Sequence, residues 1–310
     1  MPPDRRPGRP RKPAGQATHG PAPRGPAATG HSPGGRGSPP PEPSPAGGPP
    51  HPKGRRRGGR DRAPKSEGGP YWIFGRHAVQ AALGNPQRRF HRLLVAPRAA
   101  AAMHLPPGRQ VEEADLHDLS RLLPPGAVHQ GVAALVAPLE APGLRDWLAQ
   151  AGGGARLVVV LDQVTDPQNV GAILRSATAF GAAAVITTAA HAPEEGGALA
   201  KAASGALDML PYLRETNLAR ALDELADAGF WRIALDAEGS DTLAGSLPRD
   251  RPVALVLGAE GGGLRRLTRE RCDSIARLPI RPEIGSLNVA QAATAALYEV
   301  ARGGGDGAGP

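Results

Sequence analysis

Three short stretches of the 310-residue chain place polar side chains just where an apolar run gives way to a turn. The first, "LDQVTDPQNVGAILRSATAFGA" at 161–182, passes through an Asp-Pro step to Asn169 and Arg175. An arginine holds its charge at any ordinary pH and carries five donors, so Arg175 suits a phosphate or a developing oxyanion. Asn169 is placed to cap the helix that follows. In the second stretch, "VALVLGAEGGGLRRLTRE" at 253–270, Gly258 and Gly261 to Gly263 surround Glu260. Glycines after a strand let backbone come close to a ligand, but the G-x-G-x-x-G spacing and a Walker lysine are missing, so nucleotide phosphates are not specifically indicated. The third, "IARLPIRPEIGSLNVAQAATAALYEVAR" at 275–302, carries Glu283 and Gly285 before Ser286-Leu287-Asn288 opens a helix. Ser286 reads as its cap, and Ala292, Ala293, Ala295 and Ala296 would let that helix pack closely.

The elements that must position these residues are legible from periodicity. From Arg156 onward, the runs "LVVVLD", "AAAVITT", "MLPYL", "WRIALDA", "VALVLG" and "IARLPI" alternate with helical stretches. Continuous apolar runs suit strands covered on both faces, so the fold class is α/β with a mainly parallel sheet. One intervening helix, "NLARALDELADAGF", puts Leu218, Leu222 and Leu225 on one face. In the first stretch Ile173, Ala177 and Phe180 point to the core, while Arg175 lies about 120° around the helix from Asn169, with a side chain long enough to reach toward the region beyond the strand ends, where open α/β sheets bind ligands. A smaller α/β unit precedes this domain at 71–139, with "YWIFGRHAVQAALG", "HRLLVAP", "EEADLHDLSRLLP" and "HQGVAALVAP" as strand–helix, strand, helix and strand. Pro138, Pro142 and the weakly patterned "GLRDWLAQAGGGA" read as the boundary, with the second domain at 155–302.

Residues 1–68 are dominated by Pro, Gly, Arg and Ala with almost no large apolar side chain, the composition of a disordered tail. They hold fourteen Lys and Arg against four acids, a net of +10, whereas the whole chain carries +8; the remainder is therefore slightly acidic. A basic arm of this kind attracts polyanions by counterion release, without sequence selectivity. No apolar run approaches the ~20 residues that cross a bilayer, and no secretory-type apolar stretch opens the chain, so no membrane partner and a cytoplasmic setting are expected. A single cysteine, Cys272, excludes an internal disulfide framework and a thiolate metal cluster; it reads as a packed small residue, and no metal is expected.

Together the three stretches, in this order, resemble the three motifs of the SpoU (TrmH-like) branch of the SPOUT RNA methyltransferases. "IFGRHAVQAAL" through "HQGVAALV" is similar to the small substrate-binding domain of bacterial ribosomal RNA members, and the likeness spans about 71–302. The resemblance implies a deep trefoil knot near the C-terminus, a homodimer, S-adenosylmethionine bound in bent form by the knot loops, and methyl transfer to a ribose 2′-hydroxyl. The implied substrate is RNA, foremost a guanosine of large-subunit ribosomal RNA. Transfer RNA, or a noncatalytic RNA-binding or ribosome-assembly role on the same scaffold, are the alternatives; a nicotinamide dehydrogenase is more distant, because its glycine fingerprint would follow the first strand. It implies that Arg175, Asn169, Glu260, Ser286 and Asn288 form the catalytic set, and that Leu257, Gly258, Ile280, Leu287 and, more weakly, Thr187 hold the cofactor. Two positions depart from the family pattern: Ala259 stands where asparagine is usual, and Pro282 where glycine is common. Arg76, His77, Arg88, Arg89, Arg92, His129 and Gln130 of the small domain are further candidates for RNA contact.

Overall fold

The structure, a computed structural model, describes residues 68–303. The basic tail read from the sequence lies outside the described residues, apart from Gly68. The chain first builds a four-stranded sheet from β1 (Tyr71–Phe74), α1 (Arg76–Gly84), β2 (Phe90–Val95), α2 (Pro97–Ala100), β3 (Glu112–Glu113), α3 (Leu116–Leu122) and β4 (Val132–Val136). Its strand order is β1-β4-β2-β3, with β4 antiparallel to both of its neighbours.

The weakly patterned segment that followed in the sequence is a helix, α4 (Leu144–Ala151), not a bare linker. Leu144 and Trp147 are buried in the same cluster as Val158, Val160 and Ile186 of the larger sheet, which is why the segment folds. The rest alternates: β5 (Leu157–Asp162), α5 (Pro167–Ala179), β6 (Ala184–Thr188), α6 (Gly197–Ala203), β7 (Tyr212–Glu215), α7 (Leu218–Asp227), β8 (Trp231–Leu235), β9 (Asp241–Thr242), α8 (Leu243–Ser246), β10 (Val253–Gly258), α9 (Arg266–Glu270), β11 (Ser274–Arg277) and α10 (Val289–Gly303). The seven strands lie in the order β7-β6-β5-β10-β8-β11-β9, and every pairing is parallel.

Both faces of this sheet are covered, as its apolar runs require. Along β5 and β10, Val159, Leu161, Leu255 and Leu257 face one core cluster, while Val158, Val160, Ala254 and Val256 face the other. The strand order reverses between β5 and β10, so the loops leaving their carboxyl ends diverge and open a crevice there. Helices α5 and α6 sit unusually close: a Cβ on Gly171 would stand 2.3 Å from that of Ala202, so only glycine permits the contact.

A buried ionic network joins the two sheets. Arg88, whose side chain is fully buried, donates from Nε to Asp208 (2.6 Å) and from Nη1 to Glu195 (2.6 Å), the Ala137 carbonyl (2.8 Å) and Tyr71 Oη (3.2 Å). Tyr71 donates to Glu195 at 2.6 Å, and Leu139 N–H donates to the other oxygen of that carboxylate. Burial alone would lower the Arg88 pKa, but the Asp208 and Glu195 carboxylates outweigh it and hold the guanidinium charged. Burial, reinforced by the Glu195 charge, raises the Tyr71 phenol above its ordinary range. Arg88 is thus part of the domain junction and not an RNA contact, contrary to the sequence expectation: it is the cation that two buried carboxylates require.

Candidate active site

The crevice at the ends of β5 and β10 is where the three motifs meet. After β5, Asp166 accepts from Gln168 N–H at 3.1 Å and Pro167 takes the first helical position, so Asp166 and not Asn169 caps α5. Asn169 falls in the first turn, half-buried, with its side chain free to reach across the crevice. It does so: Asn169 Nδ2 donates to Glu260 Oε1 at 3.3 Å, and Asn169 Oδ1 accepts from Asn288 Nδ2 at 3.0 Å. Asn288 Nδ2 also donates to Glu260 Oε1, closing a triangle of one residue from each motif.

Asn288 has a second task. Its Oδ1 accepts from Ala290 N–H (2.9 Å) and Gln291 N–H (3.3 Å), which makes Asn288, and not Ser286, the cap of α10. Ser286 lies two residues too early, its N–H bonded to the Ile284 carbonyl within the loop. Glu260 Oε1 additionally accepts from Val289 N–H at 3.3 Å. A carboxylate at a helix N-terminus is favoured by the helix dipole, so Glu260 fixes the loop after β10 against the start of α10. Asn288 thereby spends both Nδ2 hydrogens and both Oδ1 lone pairs, whereas Asn169 retains one Nδ2 hydrogen and one lone pair on Oδ1 for a ligand.

Arg175 is six residues further along α5, roughly 9 Å up its axis at 1.5 Å per residue. It is exposed, and among the described residues its guanidinium makes no hydrogen bond or ion pair. Next to it, Ser176 Oγ and Thr294 Oγ1 meet at 2.7 Å and lock α5 to α10, so the backbone that carries Arg175 is fixed while its side chain is not.

The loop after β10 is shaped by its own crossing. A Cβ on Gly258 would come within 2.2 Å of the Gly263 backbone, and Gly263 N–H bonds the Ala259 carbonyl at 2.9 Å. The glycine at 258 is therefore demanded by the chain folding back on itself. Asp162, which sequence reasoning passed over, anchors the far end of this loop: fully buried, it accepts from Arg265 Nε (2.7 Å) and Arg265 N–H (3.0 Å). An acid closing an otherwise apolar strand was the available signal.

The residues expected to hold the cofactor are spread around the same edge. Leu257 and Gly258 end β10; Ile280 and Leu287 are half-buried apolar side chains in the loop between β11 and α10, which passes through a 3-10 turn at Pro282–Ile284. None of the four is charged, and Gly261, Gly262 and Gly285 have open space where a Cβ would stand. Uncharged main chain, apolar side chains and open loop surface fit a ligand with an adenine ring. Thr187 is different: it is buried within β6, with its hydroxyl on the Leu161 carbonyl at 3.4 Å. Cys272 is half-buried, with Sγ against the Thr268 carbonyl, and burial pushes its thiol up to about 12. Among the described residues Asp115, His117 and Asp118 lie within 4.8 Å of one another, but all are exposed and Asp115 is committed to capping α3. Among the same residues no helix is long and apolar enough to cross a membrane.

Comparison with known proteins bears on this geometry. Residues 156–298 match the model of the SpoU rRNA Methylase family, and residues 72–142 match that for RNA 2′-O ribose methyltransferase substrate binding. The 23S rRNA (guanosine-2′-O-)-methyltransferase RlmB of Pseudomonas aeruginosa is 38% identical over 239 residues, 74% of this chain and 95% of that protein. RlmB of Xylella fastidiosa is 39% identical over 241 residues, covering 74% and 96%. Among solved structures, the SpoU methyltransferase AviRb from Streptomyces viridochromogenes aligns with a TM-score of 0.63 at 26% identity, over 76% of this chain and 90% of that one. The AdoMet-bound rRNA methyltransferase from Sinorhizobium meliloti aligns at 0.62 and 26%, over 75% and 87%.

Proposed function

The chain belongs to the SpoU rRNA methylase family, and we propose that it transfers a methyl group from S-adenosylmethionine to the ribose 2′-hydroxyl of a guanosine in 23S ribosomal RNA. The observation that carries this reading is the convergence of Asn169, Glu260 and Asn288, up to 119 positions apart, into one hydrogen-bonded cluster at the strand-order reversal, with the unpaired Arg175 on the helix that leaves it.

When bound, the cofactor supplies an activated sulfonium methyl. The chain must then align a poor nucleophile and manage its proton. A guanidinium does not give up its own proton under ordinary conditions, so Arg175 acts by charge: it stabilises the forming alkoxide and holds the adjacent RNA phosphate, which takes up the hydroxyl proton. Asn169 orients the ribose with its spare donor and acceptor, Glu260 and Asn288 hold Asn169 in place, and Ser286 shapes the junction of substrate and cofactor. Leu257, Gly258, Ile280 and Leu287 receive the adenosyl group through main chain and apolar contact, which is how so aromatic-poor a chain can bind it.

Two larger features belong to the same proposal. A trefoil knot is supported by the position of β11 between β8 and β9: the later strand runs between two earlier ones and pairs with both. A homodimer is supported by the stripe of Gln291, Thr294, Ala295 and Tyr298, which α10 leaves exposed along one face; light scattering of the purified chain checks it.

The reaction is tested by incubating purified protein with labelled S-adenosylmethionine and unmodified 23S rRNA, then mapping ribose methylation. A single labelled guanosine is expected; no transfer to ribosomal RNA refutes the reading, and transfer to tRNA alone redirects it. For Arg175, the Arg175→Lys variant should lose rate at every pH. Near-wild-type methylation with an unchanged pH profile would defeat the charge-stabilising role.

A further inference from the structure

Residues 259–265 join β10 to α9, and Gly261, Gly262 and Gly263 lie in the middle of that loop. Gly261 and Gly263 both take positive φ (78° and 60°), and neither has a side chain that could tie the loop down. Ordering such a segment costs much conformational entropy. Yet it carries Glu260, on which Asn169, Asn288 and the Val289 N–H converge, and it continues from Gly258, whose main chain is assigned above to the cofactor. Its order has to come from what fastens its two ends.

One end is held by the site itself. Glu260 Oε1 reaches the start of α10, on the face of the large sheet where Leu161, Leu255 and Leu257 share a core with Val170 and Val289. The other end is held from the opposite face. Alternation along β5 puts Asp162 on the side of Val158 and Val160, the cluster against which Leu264 packs. There one residue takes both carboxylate oxygens: Oδ1 accepts from Arg265 Nε at 2.7 Å and Oδ2 from Arg265 N–H at 3.0 Å. Among the described residues the Asp162 carboxylate has no other hydrogen-bond donor. Asp162 is also paired in register with Gly258, so the loop leaves and returns beside the same residue.

Stability alone does not call for an acid at this position. The Asp162 side chain is 0% exposed and that of Arg265 46%, and one more valine would simply continue the apolar run of β5. Buried ion pairs are often exchanged for apolar residues without loss of folding free energy, whereas a buried charge accepts only a partner that satisfies it. An apolar side chain would leave Arg265, and the loop behind it, without a fixed place.

We propose that Asp162 is a positioning residue for the cofactor, an inference that rests on the S-adenosylmethionine reading above: its charge fastens Arg265, pre-orders 259–265, and so holds Glu260 and the Gly258 main chain in the arrangement that the cofactor binds. The clamp touches neither substrate nor reacting atoms. Its effect falls on affinity, because a loop that is already ordered does not draw that cost from binding. With cofactor in place the loop is ordered either way, so turnover at saturation is spared.

The test uses the full chain and two measurements: S-adenosylmethionine affinity by calorimetry and, without cofactor, amide hydrogen exchange. In Asp162→Val/Arg265→Met the melting temperature should stay at or above that of wild type, while the dissociation constant rises about tenfold, the scale of one lost charge-assisted hydrogen bond. Exchange should quicken across 259–265 and at Val289, whose N–H is held by Glu260. KM for S-adenosylmethionine should rise while kcat at saturating cofactor and RNA holds. Asp162→Asn keeps the shape and loses the charge; it should behave alike, and it decides the matter if the double variant does not fold. Arg265→Lys restores a cation and should recover part of the affinity. Arg266→Ala, at the neighbouring exposed arginine that pairs with Glu270 at 2.5 Å, should change neither measurement. Unchanged affinity in the double variant would overturn the proposal and leave the pair a structural contact; unchanged exchange, or a fall in kcat at unchanged KM, would overturn it too. A wild-type chain that binds no S-adenosylmethionine would defeat the reaction proposed above, and the exchange measurement, which needs no cofactor, would then decide the clamp by itself.

Discussion

Two three-way polar networks hold this molecule together, and they are built on opposite principles. At the domain junction, Arg88, Glu195 and Asp208 have side chains no more than 10% exposed, and the network is made of charges. At the crevice, Asn169, Glu260 and Asn288 are exposed or half-buried, and two of the three members are neutral amides. Burial makes the first network unforgiving, because a charge left without its partner inside protein has no water to fall back on. Exposure makes the second network replaceable in stability but available for chemistry, since water and ligand can both reach its spare donors and acceptors. The same division separates the arginines: the junction pairs Arg88 with two carboxylates, while among the described residues the site leaves the Arg175 guanidinium without a partner.

The contrast can be broken in several places. The largest effect is expected for Arg88→Met, which strands two buried carboxylates and should cost about 3–5 kcal/mol of folding free energy; denaturant unfolding that shows a loss under about 1 kcal/mol would erase the distinction. Arg175→Ala should do the reverse, lowering kcat/KM about 100- to 1,000-fold, or roughly 3–4 kcal/mol, while stability moves by no more than about 0.5 kcal/mol. Asn288→Ala spans both behaviours. It removes the α10 cap, worth about 1 kcal/mol, and frees Asn169, so a melting curve and a turnover assay should both register it; a purely structural change would mean that Asn169 needs no support. Glu260→Gln preserves shape and some of the accepted bonds, so it should cost less than Asn288→Ala in either assay. At the small end, Cys272 in the native protein should resist iodoacetamide at pH 8, because its thiol titrates near 12; rapid labelling before unfolding would show that the residue is less enclosed than its contacts indicate.

Much of the scaffold was legible because its signals are local. Six apolar runs named six strands of the parallel sheet, and Leu218, Leu222 and Leu225 marked the buried face of α7. Where the reading went astray, the missing information was a distant partner. Asn169 and Ser286 are both good capping residues, but Asp166 and Asn288 do the capping, and Asn169 is drawn instead to Glu260 and Asn288 from distant motifs. Helix α4 looked like a linker since only two of its side chains, Leu144 and Trp147, are buried. Arg88 reads like its neighbour Arg89 until Glu195 and Asp208 close over it from more than a hundred positions away.

The sequence by itself determined the layered α/β architecture and the three motifs, since periodicity and turn chemistry are properties of neighbouring residues. Only the tertiary structure decided that Asn169, Glu260 and Asn288 share hydrogen bonds across separations of 91 and 119 residues, and which arginines stay unpaired. The reason is physical: a polar group's role is set by what reaches its donors and acceptors, and strand order at the β5–β10 reversal, not distance along the chain, fixes that.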